Sequence, residues 1–236
     1  MSVLAKFEEK HAFVLCPKDV GRIWDILEKA FGPAKAEASC ADGIQRTFTS
    51  LDQLASYENP RARAINSLTF RARDAKLDRR ASITLGARYS SSIMVYIEGP
   101  EEVVVPAKNT LGEFFDGIKP WYSPVSRVDF FYLVLAVASF AFTVLNLMVN
   151  GGSGKAEPIE FGRATLVTAV VIAMLAGLAA FVWILNMLRT RFFPVVVFAL
   201  GQGQGRYELD DKVRWAVIVG IAVSVVASLV VAALLR

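Results

Sequence analysis

Histidine occurs once in this chain, at position 11, and cysteine twice, at positions 16 and 40. One imidazole and two distant thiols do not assemble a zinc site, which needs several closely spaced His or Cys ligands. A strand running through His11 and Cys16 would place them on opposite faces, which argues against a Cys–His dyad. No G-x-S-x-G is present. Two glycine-rich stretches fall short of nucleotide-binding motifs. Gly151-Gly-Ser-Gly-Lys155 has Val149 where a phosphate loop needs glycine and Ala156 where it needs Ser or Thr. Gly201-Gln-Gly-Gln-Gly205 has Arg206 and Glu208 around the place of a third glycine, and reads as a flexible hinge. No catalytic, metal-ligating or cofactor-binding residue is nominated, no cofactor is expected, and the chain reads as a non-enzyme.

A signal peptide's long apolar stretch is also missing from MSVLAKFEEKHAFVL, so the first domain is expected in the cytoplasm with both cysteines as thiols. No strong charge excess is present either. Lys and Arg outnumber Asp and Glu by two on each side of Arg127, too little for a dedicated nucleic-acid binder.

Charge is absent altogether from three runs, Phe130–Val149, Ala164–Leu188 and Trp215–Leu235, and 54% of the chain is apolar. Each run is about the 20 residues that cross a hydrocarbon core, which predicts three transmembrane helices. The connection after the second run carries Arg189, Arg191, Arg206, Lys212 and Arg214, and that after the first only Lys155 and Arg163. The positive-inside rule then puts the amino terminus in the cytoplasm and the carboxyl terminus outside, in a bacterial inner membrane. Trp121, Tyr122 and Trp215 read as interfacial anchors. Asp129, Asp210 and Asp211 read as acids at helix starts. The expected division is a cytoplasmic domain at 1–119, a linker at 120–128 and a membrane domain at 129–236. Within the last, 189–214 forms an interfacial segment. FFPVVVFAL at 192–200 is too short to span; it reads as interfacial, or alternatively as a strand docked on the soluble domain.

The amino-terminal part has the patterning of a small α+β domain, an antiparallel sheet with helices on one face. His11–Leu15 is a short apolar strand. Pro17 opens a helix with Val20, Ile23, Trp24, Leu27 and Phe31 at helical spacing, ended by Gly32. Ser50–Gln53 has the pattern of a capping box. Ser67–Arg73, Ala81–Ala87 and Ser91–Glu98 alternate with period two, and their short gaps favour a meander. Val103–Val105 suggests a further strand. A second capping box at Thr110–Glu113 suggests a helix start there. The sheet face away from the helices carries Arg71, Arg73, Thr84, Met94 and Tyr96, a candidate surface for a partner protein, a sister subunit or an anionic ligand. Nucleic acid is disfavoured, because Asp74 and Asp78 interrupt the arginines.

Small residues recur every fourth position in the third run, at Ala216, Gly220, Ser224, Ser228 and Ala232, and in the second at Ala169, Ala173 and Gly177. Such stripes let helix backbones approach closely in lipid. Ser139, Thr143, Asn146 and Asn150 share a polar face of the first run. Membrane lipid, a homo-oligomer and a cytoplasmic protein partner are the expected partners. The expected function is a membrane-anchored sensor or adaptor; a pore-forming effector gated by the soluble domain is the alternative, and a membrane-face enzyme a third reading.

Overall fold

The computed structural model describes residues 2–75, 78–88, 91–132, 134–136, 138–139, 143 and 161–234. Of these, 87, 88, 91, 161–175, 221, 222, 229, 230, 233 and 234 are described by backbone only. The chain divides into two compact units. The first comprises Met1–Pro124 with Pro194–Arg236, and the second is Val125–Phe193.

The first unit is built on a six-stranded antiparallel sheet. Its strands are β1 (Ser2–Glu9), β3 (Ala34–Cys40), β4 (Gln45–Phe48), β5 (Ile65–Arg73), β6 (Arg80–Arg88) and β7 (Ser91–Pro100). They lie in the order β1-β7-β6-β5-β3-β4. Helices α1 (Pro17–Phe31) and α3 (Glu101–Gly117) pack on one face, with the short α2 (Leu51–Ala55) beside α1. The core-side residues form transverse rows, because paired strands in register carry opposed residues to the same face. One row runs Phe7, Val95, Ile83, Phe70, Ala36, Phe48. Trp24 of α1 meets Phe70 edge-on at 6.4 Å, and Phe115 of α3 meets Phe7 at 6.5 Å.

The α+β sheet with helices on one face is as the alternation of β5, β6 and β7 leads one to expect. In α1, the backbone N–H of Cys16 donates to the Asp19 carboxylate at 2.9 Å, and Pro17 supplies a pre-set first turn. Gly32 stops the helix at φ 89°, a left-handed conformation in which a side chain would also press on the backbone of Asp74. Two local readings are corrected. Val103–Val105 is helical, and Thr110–Glu113 lies inside α3, which starts at Glu101. The buried residues Val104, Ala107, Leu111, Phe114 and Phe115 recur at helical spacing, and this continuous face overrides the internal cap signal.

Within 192–200, Phe192 ends the preceding helix and Val196–Phe198 is a docked strand rather than an interfacial segment. β8 (Val196–Phe198) pairs in parallel with β2 (Phe13–Leu15) in a small second sheet. Phe198 meets Phe13 edge-on at 5.9 Å. Asn59, buried and at φ 46°, holds this junction. Its Nδ2 donates to the Phe198 carbonyl at 3.0 Å, and its Oδ1 accepts from the Ile65 N–H at 2.9 Å. Arg206 donates to the Asn59 carbonyl at 2.8 Å. The Gly201–Gly205 stretch is therefore no hinge. A Cβ at Gly201 would sit 2.5 Å from the Glu58 carbonyl oxygen, so only glycine admits this approach.

The long helix α6 (Gln202–Leu234) follows. Asp210 and Asp211 lie within it rather than at its start; Asp211 pairs with Arg214 at 3.2 Å. The Arg214 guanidinium is buried between the rings of Tyr122 and Tyr207, 4.6 and 5.1 Å from their centroids. Tyr122, just before the short helix α4 (Ser123–Ser126), is thus a core residue and not an interfacial anchor. Trp121 and Trp215, each about half exposed, pack on one another at 5.6 Å.

The second unit contains helical residues within 130–143 and the helix α5 (Phe161–Phe192). Asp129 accepts the N–H of Phe131 at 2.9 Å, as an acid at a helix start should. Among the described residues, no helix is long and apolar enough to cross a membrane. This overturns the expected three-span membrane domain, the bacterial inner-membrane location and the function built on them, whether as a membrane-anchored sensor or adaptor or as a pore. The last turn of α5 carries Arg189 and Arg191, and the first half of α6 carries Arg206, Glu208, Asp210, Asp211, Lys212 and Arg214. Of the spans expected at 130–149, 164–188 and 215–235, residues 133, 137, 140–142, 144–149 and 235 lie outside the described residues.

Replacing Asn59 by Ala leaves the Phe198 carbonyl and the Ile65 amide without their partner. Chemical denaturation should show a loss of about 2–4 kcal/mol. Burial pushes the Tyr122 phenol up to about 12. A raised folded-state value favours the neutral phenol, so this stabilisation is complete below the ordinary tyrosine value near 10 and is lost as pH rises through about 12. Alkaline unfolding followed by circular dichroism should lose stability over that window, and Tyr122→Phe should flatten it.

Candidate functional site

The sheet face opposite α1 and α3 has no layer on it among the described residues. Strand register arranges its side chains in transverse rows. One row reads Lys6, Tyr96, Ser82, Arg71, Lys35 across five strands. Its neighbour reads Leu4, Glu98, Arg80, Arg73, and the row on the other side reads Glu8, Met94, Thr84, Thr69, Glu37, Thr47. The five residues nominated for a partner surface, Arg71, Arg73, Thr84, Met94 and Tyr96, therefore do share one face. Arg71 and Tyr96 belong to one row, and Thr84 and Met94 to another.

At the positive end of this face lies a cavity of about 450 Å³, lined by Lys35, Arg71, Arg73, Arg80, Ser82 and Tyr96 among others. Two carboxylates organise three of its four cations. Glu37 lies 3.1 Å from both Lys35 and Arg71. Glu98 accepts from Arg80 Nε at 2.7 Å and from the Tyr96 hydroxyl at 2.9 Å. Arg80 also lies over the Tyr96 ring at 5.5 Å. Arg73 has no ion pair among the described residues. The Arg80 hydrogen bond, with help from Tyr96, holds the Glu98 carboxyl below its ordinary range, and Glu98 in turn raises Arg80. The result is a set of preset N–H and O–H donors with cationic excess, suited to accept a carboxylate or phosphate oxygen.

Lys35 and Arg80 were not among the nominated residues. Lys35 stands on β3, whose core side is Ala34, Ala36, Ala38 and Cys40. Its alternation with Lys35, Glu37 and Ser39 was the available signal.

Ala216, Gly220, Ser224, Ser228 and Ala232 are exposed on α6. The Ser224 and Ser228 hydroxyls donate to the carbonyls of Gly220 and Ser224 in their own helix, each at 2.8 Å. Thr143 likewise donates to the Ser139 carbonyl at 2.9 Å. Gly177 is exposed; the side chains of Ala169 and Ala173, and Asn146 and Asn150 altogether, lie outside the described residues. Among the described residues no cluster of His, Cys, Asp and Glu could hold a metal ion, and Cys16 and Cys40 are free thiols. Comparison with protein families, with curated proteins and with solved structures finds no match to this chain.

Tyr96→Phe removes one of the two donors to Glu98. The Glu98 carboxyl, followed by carbon-detected NMR titration, should shift up towards the ordinary glutamate value, and Arg80→Gln should shift it further.

Proposed function

We propose that the chain is a non-catalytic binding module and that the open face of its sheet takes an acidic segment of a partner protein. The observation that carries this reading is the cavity lined by Lys35, Arg71, Arg73 and Arg80, whose ion-pair partners among the described residues are two carboxylates, Glu37 and Glu98. Arg73 offers a guanidinium fork to an incoming carboxylate, and Arg71 turns to it as Glu37 is shared. Tyr96 and Ser82 contribute hydroxyls and an apolar ring edge to the same row. The interleaved carboxylates favour a peptide with spaced acids over the continuous phosphates of nucleic acid, which would meet Glu98 and Glu37 as repulsion.

The test is calorimetric titration of the full chain with an Asp/Glu-rich peptide, its Asn/Gln counterpart and a single-stranded oligonucleotide. Binding of the acidic peptide alone, weakened by salt and roughly five- to tenfold by Arg71→Gln/Arg73→Gln, is expected for loss of two exposed charge contacts. Absence of binding at millimolar peptide, equal binding of the uncharged peptide, or preference for the oligonucleotide would overturn the proposal.

A further inference from the structure

β1 is an outer strand of the sheet and, among the described residues, pairs only with β7. Along its other side, alternate residues turn their backbone N–H and C=O groups away from the sheet, and no strand among the described residues meets them. The opposite outer strand, β4, has only four residues, whereas β1 has eight, without a bulge or a proline. A long, regular open edge is a template for another strand. The side chains of β1 choose which strand. Leu4, Lys6 and Glu8 stand on the open face, and Val3, Ala5 and Phe7 pack towards α3 and the core.

We infer that β1 joins two copies of this chain, antiparallel about a two-fold axis at Phe7, so that two six-stranded sheets become one. The charges select this register. Centred on Phe7, Lys6 of each copy stands directly opposite Glu8 of the other, twice by symmetry. Centred on Lys6 or on Glu8, like charges meet; centred on Ala5, Lys6 meets Leu4 and Glu8 meets Ser2, with no ion pair formed. A shift to an axis between residues would set open-face positions against core-side ones. Within one chain Lys6 already lies 3.2 Å from Glu8, so pairing extends this contact into a four-charge cluster on the open face.

On the helix side the same register brings the two Phe7 rings across from one another. Space for this exists: a cavity of about 360 Å³ lies beside Phe7, lined also by Glu9, Lys108, Asn109, Gly112 and Glu113. At Gly112 even an added Cβ would meet nothing within 4 Å. The edge thus combines an outer side that no described strand covers, a self-complementary charge pattern and a notch where the symmetry-related aromatic falls. The inference is independent of the acidic-peptide reading, because the basic cavity lies over β3, β5, β6 and β7 rather than β1.

The test is sedimentation velocity on the full chain over a wide concentration range, in a non-ionic detergent that masks the exposed apolar residues of α6. Wild type is expected to dimerise. Lys6→Glu and Glu8→Lys each set like charges opposite one another twice, and each should raise the dimer dissociation constant about tenfold or more. The double swap Lys6→Glu/Glu8→Lys restores opposite charges and should return it to within about threefold of wild type. A monomer at every concentration, a dimer indifferent to both single swaps, or a double swap no better than the single ones would overturn the inference.

Discussion

Burial of one row of side chains, Val95, Ile83, Phe70 and Ala36 with the partly buried Phe7, beneath Trp24 of α1 and Phe115 of α3 holds the sheet together. Each large member contributes on the order of 1.5–3 kcal/mol when withdrawn from water. The same register that stacks these residues on one face forces Lys6, Tyr96, Ser82, Arg71 and Lys35 into a row on the other. The basic cavity is a consequence of the core: no residue of that row can leave it without moving a core neighbour to the wrong side. Small residues at Ala34, Ala36 and Ala38 let α1 lie close over β3, and this places Lys35 at the far end of the row.

The architecture was legible where amphipathic periodicity was strong. α1 declared itself through Pro17, the apolar spacing and Gly32; β5, β6 and β7 did so through alternation. β1 was obscured because Leu4 sits on its polar face, and β3 because alanine is a poor strand former. α3 was misread in its first turns because Val103, Val104 and Val105 look like a strand, although their helical phase with Leu111 decides the outcome. β8 was ambiguous for a different reason: Val196–Phe198 acquires a partner only from residues far away in sequence, which no local pattern records.

The candidate face shows the same division. Arg71, Arg73, Thr84, Met94 and Tyr96 could be grouped from alternation alone. Lys35 and Arg80 complete the cavity only once strand order is known. The membrane reading followed run length and uniform apolarity, and it is not upheld among the described residues. Tyr122 and Arg214 illustrate why local context misleads. An aromatic beside Pro120 and Pro124 and an arginine before Trp215 look like features of a boundary, yet they stack on each other in the interior of the first unit.

The parallel pairing of β2 with β8 has a temporal side. Phe13–Leu15 emerges early in synthesis, and its strand partner Val196–Phe198 emerges late. At ribosomal speeds the interval is roughly 10–40 s. During that time Phe13 lacks the cover of Phe198, and the Asn59 side-chain amide lacks the Phe198 carbonyl to which it later donates. The nascent chain must therefore carry an incomplete nucleus until Val196–Phe198 emerges. Native-like closure becomes a late, long-range event that residues upstream can prepare for but cannot bring about alone.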